Sequence, residues 1–492
     1  MTLSFMNEPS LEFGGGGTHI DVRFGLLENG PLDRNSELAP THLGIGLVGT
    51  NETIEATRQW LEKCQKRIEG KKSRLGNLFP SFPGFAEESC FHASVVVNDR
   101  WCATVNKREI DSLLAIAPTE QVVESAVDLF LQTAQPLFDK GGPSVLICAP
   151  PQDLLTMLDA RSAIHHDLLE EEIDEGSPDT AKKMPEREPY FHDVLKARAM
   201  RLNAPVQMVR PHTISGRRQQ SKHRKSTSAI TLQDEATRAW NFHVALYYKA
   251  GGVPWRMLRE STDLSACFVG VSFFKSLDGD RLLTSVAQVF NERGEGVIVK
   301  GAQAVLDKDD RIPHLQSPDA NALLKAAISA YRREHKTIPA RIVVHKTSRM
   351  NSSETEGFQV AAKEERIDSI DLVSVKRSYT RLFRESVYPP LRGTHLQLDS
   401  HSGIIYMRGS VNFFQTYPGL YVPRPLEYYI EDSEATPAQL AEEMFALSKL
   451  NWNNTQFDGG EPITVRAARR VGDILKCVEE GDVLQQAFRF YM

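Results

Sequence analysis

The hydrophobic pattern changes period several times along the chain, and each change marks an element. Over Glu52 to Gly70 the apolar positions Ile54, Trp60, Leu61 and Ile68, set among charges, predict an amphipathic helix. Short apolar runs at His92 to Val97 and Ser144 to Ala149 predict strands, with the helical pattern of Glu120 to Gln135 between them. Leu11 to Gly30 alternates around a tetraglycine, Gly14 to Gly17, and predicts a strand hairpin. Helices follow over Tyr190 to Leu202 and Thr231 to Lys249. The second of these runs into Ala250-Gly-Gly-Val-Pro254, glycine and proline stops in the order that ends a helix. Beyond it come strands at Cys267 to Phe274, Leu282 to Phe290 and Gly296 to Lys300, a helix over Pro318 to Glu334, and a strand at Ala340 to His345.

Strands interleaved with helices define an α/β class, and 492 residues give room for roughly two to four domains. The Gly-Gly-Val-Pro stop suggests one boundary, dividing the chain into residues 1–255 and 256–492. Strands, then a helix, then another strand in the second part is the order of an RNase-H-like sheet, which other α/β folds share. Asp167 to Pro189 and Thr213 to Ser228 are polar and predict surface excursions.

No apolar run approaches the length of a membrane span, and Met1 to Ser10 lacks a basic and an apolar signal region, so a cytoplasmic protein without a membrane partner is expected. Six scattered cysteines without a C-x-x-C pair argue against a zinc site. A net charge of −6 counts against indiscriminate coating with nucleic acid but leaves room for a locally positive groove. The charge is uneven, with an acidic run at Leu169 to Glu175 and a basic one at Arg217 to Lys225. Either run is ordinarily a solvated loop. The tetraglycine is no phosphate loop, because no Lys-Ser/Thr pair follows it.

His192 and Lys196 stand four apart on a predicted helix and so share a face. Gln207 follows, and Lys249 closes the next helix. Two cations with neutral donors on rigid elements are what a terminal phosphate requires, since it carries up to two charges and several acceptor oxygens.

The segments His192-Asp-Val-Leu-Lys196, Ala-Pro-Val-Gln207 and Leu-Tyr-Tyr-Lys249-Ala-Gly-Gly-Val-Pro-Trp255 resemble the MID domain of Argonautes. There an aromatic or histidine, a lysine, a glutamine and a second lysine bind the 5′ phosphate of a guide. The resemblance implies that His192, Lys196, Gln207 and Lys249 form this pocket, with His192 also stacking on the first guide base. It further implies a magnesium ion at the guide phosphate, held by the C-terminal carboxylate of Met492, although the apolar tail Leu484 to Met492 reads equally as a docked end.

The likeness continues through Val269-Gly-Val-Ser-Phe273, Pro339 to Lys346, Thr416 to Leu426 and Leu450 to Val465, which resemble PIWI segments. The fold implied is a Rossmann-like MID domain followed by an RNase-H-like PIWI domain, without the N-terminal and PAZ domains of long Argonautes. A two-metal nuclease needs carboxylates to hold its ions. Where slicing Argonautes carry the first two catalytic aspartates, this sequence has Ser272 and Thr347, and the last position falls near Arg469. The glutamate finger has no clear counterpart, with Glu292 and Glu295 nearby. His345 suits a hydrogen-bonded core position as well as a nucleic-acid contact. Lys346, Arg349, Lys376, Arg377, Arg392 and Arg424 are candidate backbone contacts.

The family most closely resembled is that of short prokaryotic Argonautes. It implies a non-cutting subunit that holds a guide RNA, pairs it with single-stranded target DNA and switches on an APAZ-containing effector with a TIR, sirtuin-like or nuclease domain, aborting an infection. A stand-alone guide-dependent slicer and a non-specific RNA-binding protein are the alternatives.

Overall fold

A computed structural model describes the chain except for residues 117–119, 140, 163–189, 217–232, 259–264, 278–280, 291–295, 307–311, 386–388, 420–421, 457–458 and 480. The acidic run, the basic run, the excursion from Asp167 to Pro189 and both Glu292 and Glu295 therefore lie outside the described residues. The fold is mixed α/β. Among the described residues the first half is built on a four-stranded parallel sheet, in the order Ser94–Thr104, His42–Gly49, Val145–Ala149, Val206–Met208. Its two central strands are apolar at nearly every position, as a sheet covered on both faces demands.

The second half carries a nine-stranded sheet. At its centre Ala266–Lys275 pairs antiparallel with Leu282–Phe290 and parallel with Arg341–Lys346, and the latter pairs parallel with Ser369–Arg377. The helix Ser317–His335 makes the crossover between the hairpin strands and Arg341–Lys346. Predicted and observed elements agree to within a few residues across this stretch. At the far edge the strand Thr2–Phe5 joins Thr394–Gln397, so the start of the chain completes the sheet of the second half.

Two expectations are corrected. Only Leu11 to His19 forms the hairpin; Val22–Asn29 is a helix, because the Asp21 carboxylate accepts from Arg23 N at 2.8 Å and Phe24 N at 3.1 Å and caps it. The helix predicted to reach Gly70 ends at Cys64, since Ile68 exchanges backbone hydrogen bonds with Phe82 instead.

The halves share one hydrophobic core. Phe268, Val343, Leu450 and Trp452 pack in the same cluster as Leu47, Trp240 and Trp255. Tyr248 stacks on Trp452 at 4.8 Å, and the Trp452 indole donates to Trp255 O at 3.1 Å. A helix from the second half, Ile463–Leu475, packs against both the strand Ala266–Lys275 and the helix Phe191–Ala199. This seam carries the candidate site.

Candidate nucleic-acid site

The helix Phe191–Ala199 presents His192 and Lys196 on one face, and the edge strand Val206–Met208 brings Gln207 toward the C-terminal end of the helix Glu235–Lys249. There the Lys249 ammonium donates to Gln207 Oε1 at 2.5 Å and to Val206 O at 3.2 Å. Gly251, at φ 101°, turns the chain out of the helix in a conformation that a side chain would strain. Sequence spacing had thus singled out residues that the fold gathers.

It missed Arg470. From the helix Ile463–Leu475 this guanidinium reaches His192 Nδ1 at 2.7 Å and the Asp193 carboxylate at 3.0 Å. Burial drives the His192 ring well below the ordinary histidine value, with Lys196 and Arg470 adding to the effect. The ring is therefore neutral. Nδ1 accepts from Arg470, which assigns the ring proton to Nε2, free to donate elsewhere. Burial would raise the Asp193 carboxyl, but Arg470, His192 and Lys476 hold it well below the carboxylate range.

The two lysines show what the site lacks. Lys196 is only 4% exposed, and burial, followed by repulsion from Lys249 and Arg470, pushes its pKa far down. Lys249 is lowered to about 7 by burial and by Arg470. Three cations converge around one carboxylate, and each depresses its neighbours. An anion with several acceptor oxygens would remove that repulsion and restore the charge of both lysines.

The tail is docked. Phe490, Tyr491 and Met492 are buried in the shared core, and Ala487 bridges to Val297. Arg489 Nη1 lies beside Gly251, at the end of the helix that carries Lys249.

In the second half, Ser272 and Thr347 come together at the ends of two neighbouring parallel strands. Val271 and Lys346 are register partners, and Thr347 N donates to Val271 O at 3.1 Å, which puts the two hydroxyl residues side by side. Both are buried, and among the described residues the Thr347 hydroxyl has no hydrogen-bond partner. His345 is a core residue: its Nδ1 meets Thr464 Oγ1 at 2.8 Å, and burial lowers its pKa to about 3. Arg469 pairs with Glu461 at 2.5 Å, and Glu461 also accepts from Arg377 at 3.0 Å. Burial raises the Glu461 carboxyl, yet Arg469 and Arg377 bring it down to about 2. The cation at Arg469 is thus balanced by a carboxylate that sequence reasoning did not single out.

The candidate backbone contacts divide. Lys346 is wholly buried, bound to Glu354 at 3.0 Å and to the carbonyls of Pro313 and Arg349. Arg392 is also buried, against Glu8 at 3.1 Å, Ser448 and the Met407 carbonyl. Neither lines a surface groove, because each neutralises a buried acid that would otherwise be left unpaired. Arg349 and Lys376 are half exposed and flank the Tyr429 ring at 4.2 and 5.0 Å, tied to Glu431 and Glu427. Arg377 is turned to Glu461, and Arg424 lies over the Tyr379 ring at 5.9 Å.

The class of fold these two sheets define is that of Argonaute and Piwi proteins, whose structures have a MID domain and an RNase-H-like PIWI domain. A guide- and target-DNA-bound Argonaute from Clostridium butyricum matches with a TM-score of 0.60 at 14% identity, covering 99% of this chain and 54% of that one. Drosophila Piwi matches at 0.56 and 12% identity, covering 99% and 56%. Aa-Ago, solved with externally bound siRNA, matches at 0.60 and 12% identity, covering 100% and 56%. The chain therefore spans about half the length of these proteins. No family model and no curated protein matches the sequence.

Proposed function

We propose that the chain is a guide-holding recognition subunit of the short Argonaute type, with MID (1–255) and PIWI (256–492) units. It binds the 5′ phosphate of a guide RNA and pairs the guide with single-stranded target DNA. The observation that carries this reading is the convergence of Lys196, Lys249 and Arg470, with His192 and Gln207, in one buried site that has more positive than negative charge. The solved guide- and target-bound Argonaute with the same fold supports nucleic acid as the ligand.

The role is recognition without cutting. Ser272 and Thr347 supply neutral hydroxyls where a two-metal site needs anionic ligands. The consequence of target pairing then falls to a partner, an APAZ-containing effector of the TIR, sirtuin-like or nuclease kind, whose activation aborts an infection in the cytoplasm. Magnesium would supply charge neutralisation at the guide phosphate. The residues fit it only together with that phosphate: Lys196, Lys249 and Arg470 repel a bare cation, while the docked Met492 terminus brings a carboxylate to a tail packed on the Lys249 helix.

Affinity for otherwise identical RNA with a 5′ phosphate or a 5′ hydroxyl tests the pocket. The phosphate end should bind better, and a Lys196→Ala, Lys249→Ala double variant should erase the difference. An unchanged ratio would reject the pocket and favour a non-specific RNA-binding protein.

A further inference from the structure

The segment leaving the sheet after Ser369–Arg377 alternates cations with aromatic rings: Lys376-Arg377-Ser378-Tyr379-Thr380-Arg381-Leu382-Phe383-Arg384. It holds no acidic residue over these nine positions. Tyr379 and Phe383 are 66% and 80% exposed, which leaves two large rings in water four residues apart. The segment is fixed: Ser378 N donates to Pro425 O at 2.9 Å, and Leu382 N donates to the Tyr406 hydroxyl at 2.8 Å. Arg381 donates to the carbonyls of Ser378 and Thr380, which holds its charge over the turn. Across the Ser378–Pro425 contact, Arg424 comes over Tyr379. Among the described residues neither Arg381 nor Arg424 is paired with a carboxylate, whereas Lys376 and Arg377 are.

We infer that Tyr379 and Phe383 form a base-stacking platform for single-stranded nucleic acid, with Arg381 and Arg424 holding the backbone phosphates beside it. The rings offer π-faces at a fixed spacing, and the two guanidiniums supply the positive charge that a phosphate chain requires and an apolar protein surface would not. Arg424 over Tyr379 also positions a cation next to any base stacked there. The inference rests on nucleic acid being the ligand, as proposed above, but it concerns bases far from the 5′ end.

The test uses the full chain and two 5′-phosphorylated RNAs of equal length. One is intact, and the other has an internal abasic run with its first nucleotides intact. Fluorescence anisotropy should show wild type binding the intact strand roughly 10-fold or more tighter, the range expected for loss of one or two stacked bases. A Tyr379→Ala, Phe383→Ala variant should bind the intact strand as weakly as the abasic one, and Tyr379→Phe with Phe383→Tyr should restore the difference. Equal affinities in wild type, or a difference that survives the alanine variant, would overturn the platform. So would an alanine variant that keeps its RNA binding and loses only a protein partner. The ratio for 5′-phosphate over 5′-hydroxyl RNA should be unchanged in the alanine variant, so that a failed platform and a failed phosphate pocket give separate readouts.

Discussion

Arg470 lies 2.7 Å from His192 although the two residues belong to opposite halves of the chain. A site that needs both halves to complete its charge senses whether they are docked correctly. Removing the guanidinium should therefore cost affinity for the phosphate end in particular. A charge-assisted hydrogen bond contributes about 1.5–3 kcal/mol, so Arg470→Ala should lower affinity for 5′-phosphorylated RNA by roughly 10-fold or more. Affinity for 5′-hydroxyl RNA should barely change. Equal losses for both RNAs would mean that Arg470 acts only on the fold.

Lys249 gives the site a pH dependence. In the free protein its pKa is lowered to about 7, while in the unfolded chain it is near the ordinary lysine value of 10.5. The unfolded chain thus binds more protons between these values, and this residue's contribution makes the free protein more stable as pH rises from about 7 toward 10.5. Phosphate binding has the opposite sign. The bound anion favours the protonated lysine, so binding takes up a proton above pH 7 and the preference for a 5′ phosphate weakens from pH 7 to 9. Calorimetry in buffers of different ionisation enthalpy measures that uptake. Lys249→Met should abolish it, and uptake that persists in the variant would assign the effect elsewhere.

Most of the fold and part of the site were legible in sequence, for identifiable reasons. The central strands of the second half are long, apolar and bounded by turn residues, and the four pocket residues lie in short local motifs. Arg470 was not legible, because its relation to His192 arises only when the helix Ile463–Leu475 docks across the seam. The Ala-Ala-Arg-Arg run in that helix was the available signal. Lys346 and Arg392 misled in the other direction. Charge in a sequence does not report burial, and their partners Glu354 and Glu8 are apparent only in three dimensions.

Glu461 should matter for stability. Its folded carboxyl is lowered to about 2, below the unfolded 4.5, so the stability it contributes is present above pH 4.5 and is lost as pH falls toward 2. Glu461→Ala at neutral pH would leave Arg377 and Arg469 without their shared acid. Both guanidiniums keep some solvent, so the cost should be about 2–3 kcal/mol rather than the roughly 3–5 of a fully buried pair. Urea unfolding measures it, and a midpoint equal to wild type would show that the triad is not a stabilising element.

Gly270 allows the helix Ile463–Leu475 to approach the strand that carries Ser272. A Cβ at this position would stand 2.0 Å from the carbonyl oxygen of Thr464, where only backbone could yield. Gly270→Ala should destabilise the protein by about 1–3 kcal/mol or more. It should also weaken 5′-phosphate preference, because the same helix carries Arg470. Unaltered stability and preference together would contradict the tight packing at this contact.

The claim that the protein recognises without cutting is tested most directly by following an end-labelled single-stranded DNA target. The full chain is loaded with complementary 5′-phosphorylated RNA in magnesium. The account predicts that the target is retained on the protein at full length, that a non-complementary target is not retained, and that retention falls when the guide has a 5′ hydroxyl. Guide-dependent cleavage at a defined position, lost on substitution at Ser272 or Thr347, would contradict it.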